Sequence, residues 1–386
     1  METLILQGGI FLRISVFGDL CPTDLNVDKF IEGDSGYLFG EITELISSSD
    51  ISIVNLECPL TECENEHYKS GPNLKAPSSS ISAIKKAGFS VVSLANNHIK
   101  DYGNQGVFDT IEVCKKTSLL TVGAGDSSFS AKTPLFINIE GKRIGILSLA
   151  DNECSCANEN SAGANGFDFC DSFDDIHVAK MNCDYLVILY HSGLEHYQYP
   201  SPSLKKRCRK MAEKGANIIV CQHSHCIGTY ELYKDTTILY GQGNFLFANK
   251  NKGELWNTGV IMNIEVTGDT YSCEFIPTKM VDGRVRFCKE TEKDNVLRML
   301  RERSEFIEYG DNINLTWEKF CKDRESMYFA ILLGFPRFLY RINKVLNNII
   351  GKLIITKHNA VVIENIIRCE SHNESLMKVI ANRYKK

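Results

Sequence analysis

The chain has 386 residues, 43% of them hydrophobic and 24% charged, with a net charge of −5. That balance gives a globular protein with a substantial core, divided into two or three units or built as one large α/β domain with an extension. The acidic balance removes any global reason to expect nucleic acid, and the fifteen cysteines, odd in number and without a CxxC pair, read as reduced thiols of a cytoplasmic protein.

The leading segment METLILQGGIFLRISVFGDL lacks a basic start and a small-residue cleavage site, so no signal peptide is expected. Phe11–Phe17 predicts a strand that stops at Gly18-Asp19. Leu38–Ser47 has helical spacing, and Ile51–Leu56 predicts a buried strand ending at Glu57. A helix over Ser78–Ala87 leads to a strand over Phe89–Ala95, which stops at Asn96-Asn97-His98. Gln105–Lys116 reads as an amphipathic helix. Leu119–Val122, Leu135–Ile139 and Arg143–Ala150 read as strands, the last two turned by Glu140-Gly141. Ser155–Phe169, rich in Asn, Gly, Ala and Ser, predicts an exposed loop. Helices are expected over Phe173–Met181 and Ser203–Lys214, with the strand Tyr185–Tyr190 between them ending at His191. Ile218–Cys221 and Thr236–Tyr240 are strands that end at Gln222-His223-Ser224-His225 and at Gly241-Gln242-Gly243-Asn244-Phe245. Gly259–Val266 and Tyr271–Pro277 alternate as strands. This β-α-β-α order with inserted hairpins predicts a layered α/β sandwich of mixed sheets, carrying its site on loops at the strand ends.

Past about Asp282 the texture changes, which places the expected division at residues 1–282 and 283–386, the second part a mainly helical, basic extension. Glu290–Glu308 reads as a charged helix. From Met327 to Lys386 there are ten Lys and Arg against three Glu, about +7, which leaves the rest near −12. No apolar stretch of about 18 residues is free of charge, so no spanning helix is expected. Met327–Thr356 mixes apolar residues with Arg337, Arg341, Lys344 and Lys352, with a break at Pro336. Peripheral contact with anionic headgroups is one reading of residues 327–356; an ordinary helix pair with a basic outer face is the favoured one.

Every polar cluster falls where an apolar strand ends: Asp19; Asn55 with Glu57; Asn97 with His98 and Asp101; His191 with Glu195; His223 with His225. Two His at i and i+2 beyond a buried strand can be turned toward one point. Five strand ends delivering Asp, Glu, Asn or His suit a pair of borderline divalent ions such as Mn, Fe or Zn. A carboxylate shared between two such ions lets a bound water ionise near neutral pH. Simpler readings stand beside this one. Asp19 after Gly18 could be a turn residue, Asn97 and His98 could close a turn, Glu195 and His196 could be solvated surface, and Asn244 could stabilise a turn.

The blocks GDL (Gly18–Leu20), NLECPLT (Asn55–Thr61), SLANNHIKDYG (Ser93–Gly103), YHSGLEHY (Tyr190–Tyr197), QHSHCIGTYELY (Gln222–Tyr233) and YGQGNFLF (Tyr240–Phe247) resemble, in order, the CapA family of capsule and poly-γ-glutamate synthesis proteins. That family belongs to the calcineurin-like metallophosphatase superfamily. The resemblance covers about residues 11–280 and implies a four-layer αββα metallophosphatase-like sandwich. It further implies that Asp19, Glu57, Asn97, His191, His223 and His225 hold two metal ions and that His98, oriented by Asp101, protonates a leaving group. Asn55, Glu195 and Asn244 are candidates for substrate contact. The sequence departs from the pattern at Cys21, where the superfamily has a His, at Gln222, and at Ser192. Cys21 could be a soft ligand or a buried structural thiol.

The expected activity is metal-dependent hydrolysis of a phosphoester or a γ-glutamyl-type amide in bacterial surface-polymer biosynthesis. A small phosphoester or the polymer itself would be the substrate. The alternative is a non-catalytic accessory factor for a membrane-bound polymer synthase, docked through the basic extension.

Overall fold

Side-chain alternation along the strands builds the fold: Ile218 and Val220 face an opposing sheet, while Ile219 and Cys221 face helices. The computed structural model describes residues 11–309, 311–346 and 348–384 and divides into two units, Met1–Ile313 and Asn314–Lys386. Residues 1–10, on which the leader reading partly rests, lie outside the described residues.

In the first unit, β1 (Phe11–Leu20), β2 (Ile51–Leu56), β3 (Val91–Ser93) and β4 (Leu120–Val122) run parallel and side by side. The chain continues through β5 (Ala124–Gly125), β6 (Leu135–Ile139), β7 (Lys142–Ala150), β8 (Gly163–Ala164), β9 (Tyr185–His191) and β10 (Ile218–Gln222). Then come β11 (Tyr230–Tyr233), β12 (Thr236–Leu239), β13 (Asn244–Leu246), β14 (Thr258–Thr267), β15 (Thr270–Val281) and β16 (Arg284–Phe287). One sheet has the order β16-β15-β14-β1-β2-β3-β4, with β13 beside β1; the other is β11-β12-β10-β9-β7-β6. Both mix parallel and antiparallel pairs. A ribbon of β5 and β8 forms a third, two-stranded sheet, so part of the expected loop Ser155–Phe169 pairs.

One apolar cluster fills the space between the large sheets, drawing Ile14 and Val16 from β1, Ile53 from β2, and Val187 and Leu189 from β9. A second cluster packs Phe17, Val54 and Val92 against helix residues such as Phe39, Ile42 and Ile84. A third packs Leu186, Ile188 and Ile219 against Ile176, Leu204 and Met211. The result is the four-layer αββα sandwich, with mixed sheets, that the resemblance implies. The expected helix Leu38–Ser47 is two, Ser35–Phe39 and Ile42–Ser48, parted at Gly40.

The first unit runs past the expected boundary at 282. β16 pairs with β15, and the helix Glu290–Glu308 adds Val296 and Leu300 to the inter-sheet cluster. Glu292 ties this helix down, accepting from Arg286 at 2.7 and 3.0 Å and from Lys279 at 3.1 Å. Ser304 Oγ accepts the Tyr230 N–H at 2.9 Å, and Arg303 donates to the Ile227 carbonyl at 3.1 Å. The second unit is helical. Asn312–Leu332 runs into it, and Arg337–Val345 (opened by Pro336), Ile349–Ile354, Lys357–Arg368 and Glu370–Tyr384 complete it.

Candidate metal centre

On β1, Ile14 and Val16 point between the sheets, so strict alternation would turn Asp19 toward the helices. A register shift between Phe17 and Asp19 reverses this: Phe17 and Leu20 both lie in the helix-side cluster, and Asp19 is left between the sheets. Gly18 makes the shift sterically feasible, since a Cβ there would meet the Gly243 carbonyl oxygen at 2.2 Å. On β2, Ile51 and Ile53 face the gap, which carries Asn55 and then Glu57 to the same side. On β9, Val187 and Leu189 lead likewise to His191. Beyond β10 the chain turns sharply, with φ of +80° at His223 and +51° at His225. Left-handed backbone costs a non-glycine residue about 1–2 kcal/mol, and here it brings both imidazoles back over the strand ends.

Glu57 lies at the centre. His191 Nε2 and His225 Nε2 are 3.5 and 3.6 Å from its Oε1. His225 Nδ1 is 3.6 Å from Asp19 Oδ2, and His223 Nδ1 is 3.2 Å from His191 Nε2. The residues form two ligand groups, Glu57 with His191 and His223, and Asp19 with Glu57 and His225; within each group the ligand atoms lie within 4.8 Å of one another. Glu57 belongs to both. Asn97 Oδ1 lies 3.0 Å from His191 Nε2, which brings it to the first group.

Burial dominates the electrostatics. It raises both carboxyls, Asp19 and Glu57, to about 8. It pulls His191 down to about 4 and His223 to about 3, and it holds His225 well below 6.5. Neutral imidazoles present lone pairs, as ligation requires. Neither oxygen of Glu57 accepts a hydrogen bond among the described residues, although the side chain is fully buried. A buried carboxylate without donors is strongly unfavourable, and cations are the partner that this set of two carboxylates and three imidazoles fits.

Beside the cluster, His98 Nδ1 is 2.7 Å from Asp101 Oδ2. Asp101 also accepts the Leu74 N–H at 2.7 Å and pairs with the nearly buried ammonium of Lys69. Lys69 reaches the Asn97 carbonyl as well, at 3.3 Å. With Nδ1 committed to Asp101, Nε2 is the nitrogen His98 has available for proton transfer. A positive charge on His98 would act to lower the Glu57 carboxyl and the His191 and His223 imidazoles.

Asn55 and Asn244, expected at the substrate, are buried and spend their amides on other site residues. Asn55 Nδ2 donates to Asp19 Oδ1 at 2.7 Å and lies 3.3 Å from His191 Nδ1. Asn244 Oδ1 is 2.9 Å from His225 Nδ1, and its Nδ2 donates to the Trp256 carbonyl. Glu195 is exposed, and its charge raises the Glu57 carboxyl. Cys21 lies in the helix-side cluster with Phe17 and Leu20, in neither ligand group. Gln222 donates to the Phe17 carbonyl and to Gln242 Oε1, bridging the two sheets beneath the site. Ser192 donates to Asp151 Oδ2 at 2.8 Å.

Sequence reasoning passed over three contributors. Lys69 sits on a loop with no periodicity to flag it. Asn96, within the ANNH block, donates to Asn55 Oδ1 and to the Leu56 carbonyl. Trp256 packs on His225, with ring centroids 4.4 Å apart.

The chain is 33% identical over 220 residues to the capsule biosynthesis protein CapA of Bacillus anthracis, covering 55% of this chain and 54% of that protein. It is 32% identical over 216 residues to the PGA biosynthesis protein CapA of Bacillus subtilis, covering 54% and 56%. The match thus spans about half the length of these curated relatives. A Mycobacterium tuberculosis protein named "Probable polyglutamine synthesis accessory protein" is 21% identical over 268 residues, covering 64% of this chain and 70% of that one. Among solved structures, a hypothetical protein from Thermus thermophilus aligns with a TM-score of 0.46 at 13% identity, covering 72% of this chain and all of that one. The model of the bacterial capsule synthesis protein family PGA_cap matches residues 13–249, more than half of the chain. This chain therefore belongs to the PGA_cap family of bacterial capsule synthesis proteins.

Proposed function

We propose that the chain is a hydrolase dependent on two divalent metal ions, Mn, Fe or Zn, acting on a phosphoester or a γ-glutamyl-type amide in bacterial capsule or surface-polymer biosynthesis. The observation that carries the reading is Glu57, buried, without hydrogen-bond donors, and common to both ligand groups. Glu57 would serve both ions, with Asp19 and His225 holding one and His191, His223 and Asn97 holding the other. Bound there, two such ions would supply positive charge for the substrate's oxygens and lower the pKa of an attacking water.

The chain's own residues do the rest. Asn55 and Asn96 hold Asp19 and the end of β2 in place, and Asn244 fixes the ring of His225. His98 donates a proton from Nε2 to the leaving group while Asp101 fixes the tautomer through Nδ1. The partly exposed Asn97 and His223, with Glu195 outside them, form the side from which substrate enters. The names of the two Bacillus relatives support the polymer setting.

Elemental mass spectrometry on protein purified without added metal or chelator tests this reading. About two Mn, Fe or Zn per chain, lost in His223→Ala/His225→Ala, is the expected result. No bound metal, even after Mn or Zn is offered, sinks it. The name of the M. tuberculosis relative supports a second reading, an accessory factor for a polymer synthase. Under that reading His98→Ala leaves partner binding and polymer output unchanged; under the first, it abolishes turnover.

A further inference from the structure

The helix Arg337–Val345 in the second unit is inside out. Asn343 is 0% exposed while Val345 is 82% exposed. Phe338, Ile342 and Val345, at i, i+4 and i+7, share one helical face and are all open to solvent, as is Leu346 beyond them. Ile349 and Leu353 continue the apolar exposure along the next helix, Ile349–Ile354. Asn343 and Asn348, buried as are Ala330 and Ile355, are polar by contrast. Asn348 Nδ2 donates to Glu325 Oε2 at 3.0 Å, and Asn343 Oδ1 accepts the Gly351 N–H at 3.1 Å. Polar side chains that bond one another inside, with apolar side chains outside, suit surroundings less polar than water.

Charge identifies the occupant. Residues 327–356 hold four Lys or Arg and no Asp or Glu. Arg341, Lys344 and Lys352 are exposed among the apolar residues. Among the described residues no helix is long and apolar enough to cross a bilayer, and these two have nine and six residues. A short basic helix with an open apolar face lies in the plane of an anionic lipid surface, with its side chains in the headgroup boundary and its cations on the phosphates. A second copy of the chain would bring like charge against like charge at the same face. We propose that the face formed by Phe338, Ile342, Val345, Leu346, Ile349 and Leu353 docks on an anionic membrane surface. The proposal is independent of the metal centre and of any activity there.

The test is sedimentation of the full chain with phosphatidylcholine vesicles, with and without phosphatidylglycerol. The expected result is binding to the phosphatidylglycerol vesicles at least tenfold above that to pure phosphatidylcholine, weakened by salt. Phe338→Ser/Ile342→Ser/Val345→Ser removes it while leaving the circular dichroism spectrum unchanged, because all three side chains are already exposed. Arg341→Glu/Lys344→Glu removes the preference for phosphatidylglycerol. No binding to either vesicle, or binding that neither variant alters, overturns the proposal. So does a dimer seen by light scattering that the triple variant dissolves while no vesicle is bound, since the face would then join two copies of the chain.

Discussion

Nδ1 of His98 lies 2.7 Å from Oδ2 of Asp101, and Asp101 is held in turn by the ammonium of Lys69 and the N–H of Leu74. Asp101→Asn presents an amide that can donate to Nδ1 and so favours the wrong tautomer. Turnover of a phosphoester substrate should fall about 10²- to 10⁴-fold, the usual worth of a positioned acid, with metal content unchanged. Lys69→Met should lower turnover by less, since the His98–Asp101 contact survives, and Lys69→Arg should restore part of it. Equal metal content with unaltered rates in all three variants would remove His98 from the chemistry.

The metal-free protein should lose stability as pH rises from about 6.5 to about 8. Asp19 and Glu57 have ordinary values of 3.8 and 4.5, and burial raises both to about 8 in the folded chain. In that window the unfolded chain has already released these protons and those of its histidines, while the folded chain retains the carboxyl protons, so stability falls with pH until the folded values are passed. Below about 6.5 His191, His223 and His225, held neutral by burial, act in the opposite sense. Metal ions neutralise the same carboxylates, so loaded protein should not show this loss. Melting curves at pH 6.5 and pH 8, with and without chelator, check the sign.

Gly18→Ala should destabilise the protein by about 1–3 kcal/mol or prevent folding, because the added carbon meets a backbone oxygen of Gly243 rather than a movable side chain. Denaturant titration measures the loss. Metal binding should weaken along with it, since the register shift that aims Asp19 sits at the same residue.

A chain ended at residue 313 should fold and bind metal, whereas one ended at residue 282 should not hold a stable fold. The shorter form loses β16, the Glu292 contacts, and the Val296 and Leu300 side chains of the inter-sheet cluster. Limited proteolysis and melting temperature separate the two outcomes.

Much of this was legible in the sequence because period-2 patterning and strand-end chemistry are both local signals. Ile51–Leu56 and Ile218–Cys221 announce buried strands, and Glu57 and His223 follow them directly. Other features depend on chain far away. The burial of Asn55 and Asn244, which pairs them with Asp19 and His225, comes from packing between strands distant in sequence. Lys69 reaches Asp101 across a loop whose path no periodicity records. The helix Glu290–Glu308 looks like a surface element because its charged residues outnumber Val296, Leu300 and Ile307, the few apolar residues that it buries.

The place of β1 in its sheet also bears on how the chain is made. Its neighbours are β2 on one side and β14 on the other, so Leu12, Ile14 and Val16 pair with residues 262–266. During synthesis at roughly 5–20 residues per second, about 250 residues separate the emergence of these two strands, a wait of some 12–50 s. Through that interval one edge of β1 is without its partner strand and the apolar face it will bury lacks its cover. β1 therefore leaves the ribosome long before it is completed, and Asp19, at its end, takes up its place beside Glu57 and His225 only then.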